Sequence, residues 1–93
     1  MKPLKKHYIY LVQCVHGTYY AGYTNDLKKR MEAHNHGRGA KYLRGRTPVQ
    51  LKYWEICQDY PSALRKEWAI KKLTRKQKGE LCSKFPLIKL INF

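Results

Sequence analysis

The sequence predicts an α+β fold with the element order β-β-α-β-α-α. Three observations carry this. Two tyrosine-bearing runs, HYIYLVQCV and TYYAGY, flank a turn at Val15-His16-Gly17. A third β-branched and aromatic run, VQLKYWEIC, occupies Val49 to Cys57. Three clusters of capping residues, at Thr24-Asn25-Asp26, Asp59 to Ser62 and Thr74, each open a stretch of helical apolar periodicity.

The first two runs read as a β-hairpin, and its loop length decides which side chains share a face. A two-residue loop, His16-Gly17, pairs Tyr10 with Tyr23 and puts Tyr20 on the other face. A three-residue loop with Gly17 in the left-handed conformation pairs Tyr10 with Gly22 and Val12 with Tyr20, so both tyrosines face the same way. The three-residue loop is the expectation. Both rings could equally be ordinary hairpin packing. Gly22 marks a position where a Cβ would crowd an approaching group.

The next element is a helix opened by Thr24-Asn25-Asp26, with Leu27, Met31 and His34 at helical spacing, and stopped by Gly37. Asp26, Arg30 and His34 lie four apart and share one stripe, so Arg30 and His34 can act on one object. The plain alternative is an exposed Asp26-Arg30 pair beside a polar histidine. From Asn35 to Pro48 the chain reads NHGRGAKYLRGRTP, with three glycines, Lys41, Arg38, Arg44, Arg46 and no acid. It is expected to be a mobile basic loop whose amides and guanidinium groups suit phosphate oxygens. It lacks the P-loop pattern.

The third strand is expected to place Val49, Leu51, Tyr53, Glu55 and Cys57 on one face and Gln50, Lys52, Trp54 and Ile56 on the other. Apolar residues on both faces suggest a central or well-covered strand, with Glu55 in a structural hydrogen-bonding role. A helix follows over about Pro61 to Leu73, capped by Asp59 or Ser62. Its Glu67 falls on a largely apolar face where packing asks for no carboxylate. Either Lys71, four residues on, pairs with it, or Glu67 projects into a polar cleft and holds a hard cation. Trp68 is expected in the core. A last short helix runs from Thr74, its cap, to Lys84, with Leu81 and Cys82 inward and Arg75, Lys76 and Lys78 on a solvated face. Pro86 ends it, and an apolar run from Leu87 to Phe93 packs on the domain or meets a partner.

Ninety-three residues are read as one domain, 1–93, with its core at about 7–84 and an apolar tail at 85–93. Twenty basic against six acidic residues give a formal charge of +14. Such an excess disfavours compactness through self-repulsion, and a polyanion is its commonest reason. Eight tyrosines interleaved with the cations point to nucleic acid. Cys14, Cys57 and Cys82 are odd in number and lack metal-site spacing, so reduced, mostly buried thiols are expected. The apolar part of the N-terminus carries Gln13 and two tyrosines and has no cleavage pattern, so no signal peptide is expected. No stretch is long enough to span a membrane, which makes the cytoplasm the default location.

Taken together, these residues resemble the GIY-YIG nuclease superfamily over about Tyr8 to Leu81. Tyr8-Ile9-Tyr10 and Tyr20-Ala21-Gly22 match the two signature triplets. Thr24-Asn25-Asp26-Leu27 with Arg30 resembles the helix entry and arginine. His34-Asn35 with Gly37 to Lys41 resembles the segment after it, and Thr47-Pro48 the lead-in to the third strand. Glu67 falls where the family carries a metal-binding glutamate. Tyr8 replaces the first glycine and Ala21 the isoleucine, and both lie outside the residues expected to do chemistry. Asn92 is a weak match for a late asparagine. The likeness is strongest to small stand-alone bacterial members.

This resemblance implies a small three-stranded antiparallel sheet flanked by helices. It implies a divalent-metal-dependent endonuclease acting on DNA, rather than RNA, in repair or processing of branched or single-stranded substrates. One Mg2+ or Mn2+ would be held by Glu67. Arg30 would clamp a phosphate oxygen, Tyr10 position or deprotonate water with His34 assisting, and Tyr20 orient phosphate or water. Arg38, Lys41, Arg44, Arg46 and Lys71 would line the nucleic acid. The other classes are a non-catalytic basic nucleic-acid-binding module that kept the fold, and a basic structural component of a ribonucleoprotein. The latter leaves Glu67 unexplained. A protein partner or self-association would use the apolar tail.

Overall fold

The computed structural model describes residues 6–84. Its elements are β1 (His7–Gln13), β2 (Tyr19–Thr24), α1 (Leu27–Asn35), a 3-10 turn (Lys41–Leu43), β3 (Gln50–Cys57), α2 (Tyr60–Lys71) and α3 (Arg75–Ser83). The strands form one antiparallel sheet in the order β2-β1-β3. The fold is therefore α+β with the expected order. The asparagine and apolar-tail expectations, including Asn92, and the helix stop at Pro86 lie outside the described residues.

The hairpin turns through Val15-His16-Gly17, with Gly17 at φ +90°. The Cys14 amide donates to the Thr18 carbonyl and the Gly17 amide to the Cys14 carbonyl. Tyr10 pairs with Gly22 and Val12 with Tyr20, the register of the three-residue loop.

β1 is the central strand, and its alternation feeds two cores. Tyr10 and Val12 pack on one face with Cys14, Leu27, Leu43 and Val49. Ile9 and Leu11 pack on the other with Ala21, Ala63 and Ile70. Helix α1 thus covers one face and α2 the other, the usual way to bury both sides of a small sheet.

The third strand corrects two expectations. It lies at the edge of the sheet rather than its centre, and most of its residues are half-buried. Its faces also do not alternate throughout. Leu11 pairs with Tyr53 but Val12 pairs with Leu51, which leaves Lys52 as an extra residue in a bulge. Val49 and Leu51 therefore join the α1 side while Tyr53 and Cys57 join the α2 side. A bulge reverses the inside-outside phase of everything beyond it. Glu55 does take the structural role expected. It accepts a short hydrogen bond from the Tyr53 hydroxyl and pairs with Lys66 at 3.4 Å.

Each helix is capped as its sequence suggests. Asp26 accepts from the Lys29 amide and Asp59 from the Ser62 amide. Thr74 and Gln77 form a reciprocal capping box. Asp26 is thus a cap; the alternative Asp26-Arg30 pair is not among the ion pairs of the described residues. α2 ends two residues earlier than expected, with Lys72 as its C-cap. In α3, Leu81 and Cys82 turn inward. Of the thiols, Cys14 is buried and Cys57 and Cys82 are half-buried, and all are free.

The basic segment departs most from expectation. Rather than a mobile loop, it follows a pinned path. The Asn35 side chain bridges to Val49, accepting its amide hydrogen at 2.8 Å and donating to its carbonyl at 3.4 Å. The 3-10 turn then drives Leu43 into the core at 1% exposure. Apolar burial explains why a glycine-rich cationic stretch holds one path. Leu43→Ala is expected to lower the unfolding free energy by about 2–5 kcal/mol in urea titrations, whereas Val15→Ala, on the exposed turn, changes it by less than about 0.5 kcal/mol.

Candidate active site

Tyr10 is 2% exposed. Its ring lies across edge strand β2 at Gly22, where a Cβ would overlap the phenol hydroxyl and sit 2.6 Å from Cζ. Only glycine lets the ring cross there. The crossing carries Oη to His34 Nε2 at 2.8 Å, a bond between β1 and α1.

His34 is itself 2% exposed. The chain folds back over it at Gly39, where a Cβ would sit 2.8 Å from Cε1. That closeness brings the Ala40 amide to Nδ1 at 3.2 Å. An amide can only donate, so Nδ1 carries a lone pair. A neutral ring then holds its proton on Nε2 and donates it to Tyr10 Oη. Burial, with Arg30 beside it, lowers the His34 pKa from 6.5 to about 4, so the ring is neutral at pH 7. The tautomer is fixed by loop backbone, not by a second side chain.

The expected residues gather around this pair. Tyr20 stands edge-on to His34, with ring centroids 6.1 Å apart. Burial is the main cause raising the Tyr10 pKa well above the ordinary phenol range. Tyr20 and Glu67 raise it further and Arg30 opposes them. Tyr10, Tyr20, Arg30 and Glu67 therefore share one electrostatic neighbourhood. The Tyr10 side chain packs on the α1 side of the sheet, whereas α2, which carries Glu67, packs on the Ile9 and Leu11 side.

Glu67 lies between buried Ala63 and Ile70 on α2, half-buried, with Lys71 Nζ 3.3 Å from its Oε2. The Lys71 pair anticipated as its structural alternative is present. A half-exposed pair four residues apart is worth only about 0.3–0.5 kcal/mol, too little to explain a carboxylate on this face. Among the described residues no three His, Cys, Asp or Glu side chains gather as a fully caged metal requires. A single carboxylate suits instead a hard cation such as Mg2+, which keeps most of its waters and takes substrate phosphate oxygens.

Arg38, Lys41 and Arg44 are exposed on the basic segment, and Lys71 is exposed on α2. Arg46 Cζ lies over the Tyr42 ring, 4.4 Å from its centroid. Tyr42 in turn stacks on Tyr20, with centroids 5.8 Å apart and planes 16° from parallel. Sequence reasoning missed Tyr42 because it sits inside a stretch read only for its charge. The one signal was an aromatic two residues beyond a glycine-alanine pair. Trp68, expected in the core, is 66% exposed with Lys72 Nζ 3.4 Å over its ring. The bulk of α2's inward face is already taken by Ala63, Glu67 and Ile70.

The fold and this arrangement define a class that the comparisons establish directly. The sequence matches the GIY-YIG catalytic domain over residues 6–80, and the chain belongs to that family. Within it, the chain is similar to the UPF0213 proteins. One from Bacillus cereus is 53% identical over 79 residues, covering 85% of this chain and 82% of the relative. One from Halobacterium salinarum is 49% identical over 75 residues, covering 81% and 97%. The solution NMR structure of a UPF0213 protein from Bacillus halodurans superposes with a TM-score of 0.54 at 40% identity, covering 84% of this chain and 83% of that one. A solution structure from E. faecalis gives 0.58 at 41% identity, covering 86% and 85%.

The His34 shift has a defined consequence for stability. Its folded pKa lies below the unfolded value, so the neutral ring's contribution is complete above pH 6.5 and is lost as pH falls toward 4. The wild type is expected to lose roughly 3 kcal/mol over that window on account of this ring. Denaturant titrations of wild type and His34→Gln at pH 7, 5.5 and 4 check it: the variant starts less stable and shows a shallower decline.

Proposed function

We propose that the chain is a metal-dependent endonuclease that hydrolyses phosphodiester bonds in DNA. Repair or processing of branched or single-stranded substrates is its field of action. The observation that carries this reading is the Tyr10 hydroxyl, held by the His34 Nε2–H within the electrostatic reach of Arg30, Tyr20 and Glu67. A structural tyrosine would need the hydrogen bond but not a cation and a carboxylate acting on the same oxygen.

Hydrolysis requires an aligned water, relief of charge at phosphorus and a leaving oxygen that can depart. Arg30 clamps a phosphate oxygen, where a guanidinium matches its geometry. Tyr10 directs the attacking water. Because His34 donates to Oη, the phenol's own hydrogen is turned elsewhere, available to water. For the chemical step Tyr10 first loses that hydrogen to solvent; the resulting phenolate, held by His34 Nε2–H and Arg30, takes a proton from the attacking water and becomes the neutral phenol again. His34 therefore assists as a donor to the phenol oxygen, not as a base toward it. Glu67 would hold a divalent ion, and the chemistry such an ion would supply is stabilisation of the negative charge that develops on the phosphate. Neutralising that carboxylate also removes one of the influences that raise the Tyr10 pKa. Tyr20, held flat under Tyr42, orients a phosphate oxygen or water. Arg38, Lys41, Arg44 and Lys71 attract the strand, with a salt dependence that follows the number of phosphates neutralised.

Two outcomes are expected with labelled duplex, branched and single-stranded DNA in Mg2+ or Mn2+. Glu67→Ala loses cutting while DNA binding persists; metal-dependent nicking at the wild-type rate by that variant defeats the assignment, and binding without cutting by the wild type itself leaves a non-catalytic binder. Tyr10→Phe lowers the single-turnover rate by about 10²–10⁴-fold. Because the Tyr10 pKa is raised, the wild-type rate climbs with pH from 6 through 9, about tenfold per unit, without a plateau near neutrality. A flat profile removes the phenolate from the mechanism.

A further inference from the structure

α2 carries an apolar surface that neither core uses. Trp68 at 66% and Leu64 at 39% exposure stand four residues apart on one outward stripe. They share a cavity of about 370 Å³ with Arg65, Glu67 and Lys71. Lys72 Nζ lies over the indole, 3.4 Å from its centroid, and is not among the residues that line that cavity. An indole this exposed, in a helix whose apolar demand is already met by Ala63 and Ile70, contributes little to folding. Cations accompany it: Arg65 and Lys71 line the same cavity and Lys72, the C-cap of α2, lies over the ring.

We infer that Trp68 and Leu64 form a docking surface for one unpaired nucleobase of the strand whose phosphate lies at Glu67. The inference rests on the nuclease reading for the position of that phosphate and deepens it by naming what grips the neighbouring nucleotide. Charge complementarity selects the occupant. A partner's apolar side chain would leave Arg65 and Lys72, which form no ion pair among the described residues, and Lys71, which has only Glu67, without further anions. A nucleotide instead offers a flat π-face to the indole and a phosphate to Lys71 and Arg65. The surface lies beside the candidate metal carboxylate, so the base it takes belongs to a nucleotide adjoining the reacting phosphate. A base held in a duplex stack cannot reach it. The site thereby favours strands with an unpaired nucleotide at the cut, and it does so without reading sequence, because every base has a face to stack.

The test is binding of the full chain to fluorescent 12-nucleotide DNA and RNA single strands, to the same DNA with a central abasic analogue, and to blunt duplex, all in Ca2+ at several salt concentrations. Trp68→Ala is expected to weaken single-strand binding about 5- to 100-fold. It leaves duplex affinity and the slope of log Kd against log salt unchanged, since no phosphate contact is lost. Trp68→Phe retains most of the affinity. Wild-type tryptophan emission is quenched by the single strand, and that quenching is absent in Trp68→Phe. The DNA and RNA arms show whether the sugar matters to the surface.

Equal losses on single strand and duplex, or unaltered quenching in Trp68→Phe, overturn the inference. So does a loss of folding stability in Trp68→Ala with strand affinity intact, which would assign the surface to the chain's own apolar C-terminus. The two readings fail separately. If Glu67→Gln and wild type both bind with these signatures but neither cuts, the docking surface stands and the nuclease falls. If the wild type cuts while Trp68→Ala binds every strand normally, the reverse holds.

Discussion

The structure depends on one close approach, the Tyr10 ring crossing β2 over the bare α-carbon of Gly22. Without it the phenol could not pass the rim of the sheet to reach His34. The approach also brings the hydroxyl to the edge of the sheet, within the electrostatic reach of Tyr20, Arg30 and Glu67. A methyl group at position 22 would therefore cost more than packing. It would part the phenol from the imidazole and withdraw it from the fields of Arg30 and Glu67.

A second constraint is the dryness of the pair. Tyr10 and His34 are both almost fully buried. Burial strengthens their hydrogen bond and opposes charge on either ring. The imidazole stays neutral through the physiological range and keeps its proton on the nitrogen facing the phenol. The basic segment is thus more than an electrostatic lure, because its Ala40 amide determines where that proton sits. Arg46 and Tyr42, stacked in turn on Tyr20, tie the same segment to the second tyrosine.

Much of the fold was legible because short-range signals agreed with one another. Gly17 specified the loop, the loop specified the register, and the register put Tyr10 opposite Gly22. The caps at Asp26, Asp59 and Thr74 bounded the helices to within a residue or two at their starts. What escaped reading depends on contacts remote in sequence. Lys52 carries no mark of a bulge; only pairing with β1 reveals it. Leu43 is one apolar residue among cations, and its burial is decided by the space left between α1 and the sheet. Trp68 was read inward from hydrophobicity, yet the inward stripe of α2 is already filled by Ala63, Glu67 and Ile70. The site was legible as a set of residue types, with Arg30, His34 and Glu67 standing out on their helices. The role of the Ala40 backbone was not, since an amide carries no sequence signal.

The segment between α1 and β3 is fastened by Asn35 to Val49, by Ala40 to His34, by Leu43 in the core and by the Arg46 carbonyl, which accepts from the Val15 amide of the hairpin turn. Between Leu43 and Arg46 the chain is surface-exposed at Arg44 and Gly45. Insertions and deletions are absorbed where backbone is unburied and unbonded. Of Arg44 and Gly45, only Gly45 makes no backbone hydrogen bond among the described residues, so a change of length at Gly45 would alter the reach of the cationic arm without disturbing the proton held at the other end of the same arm.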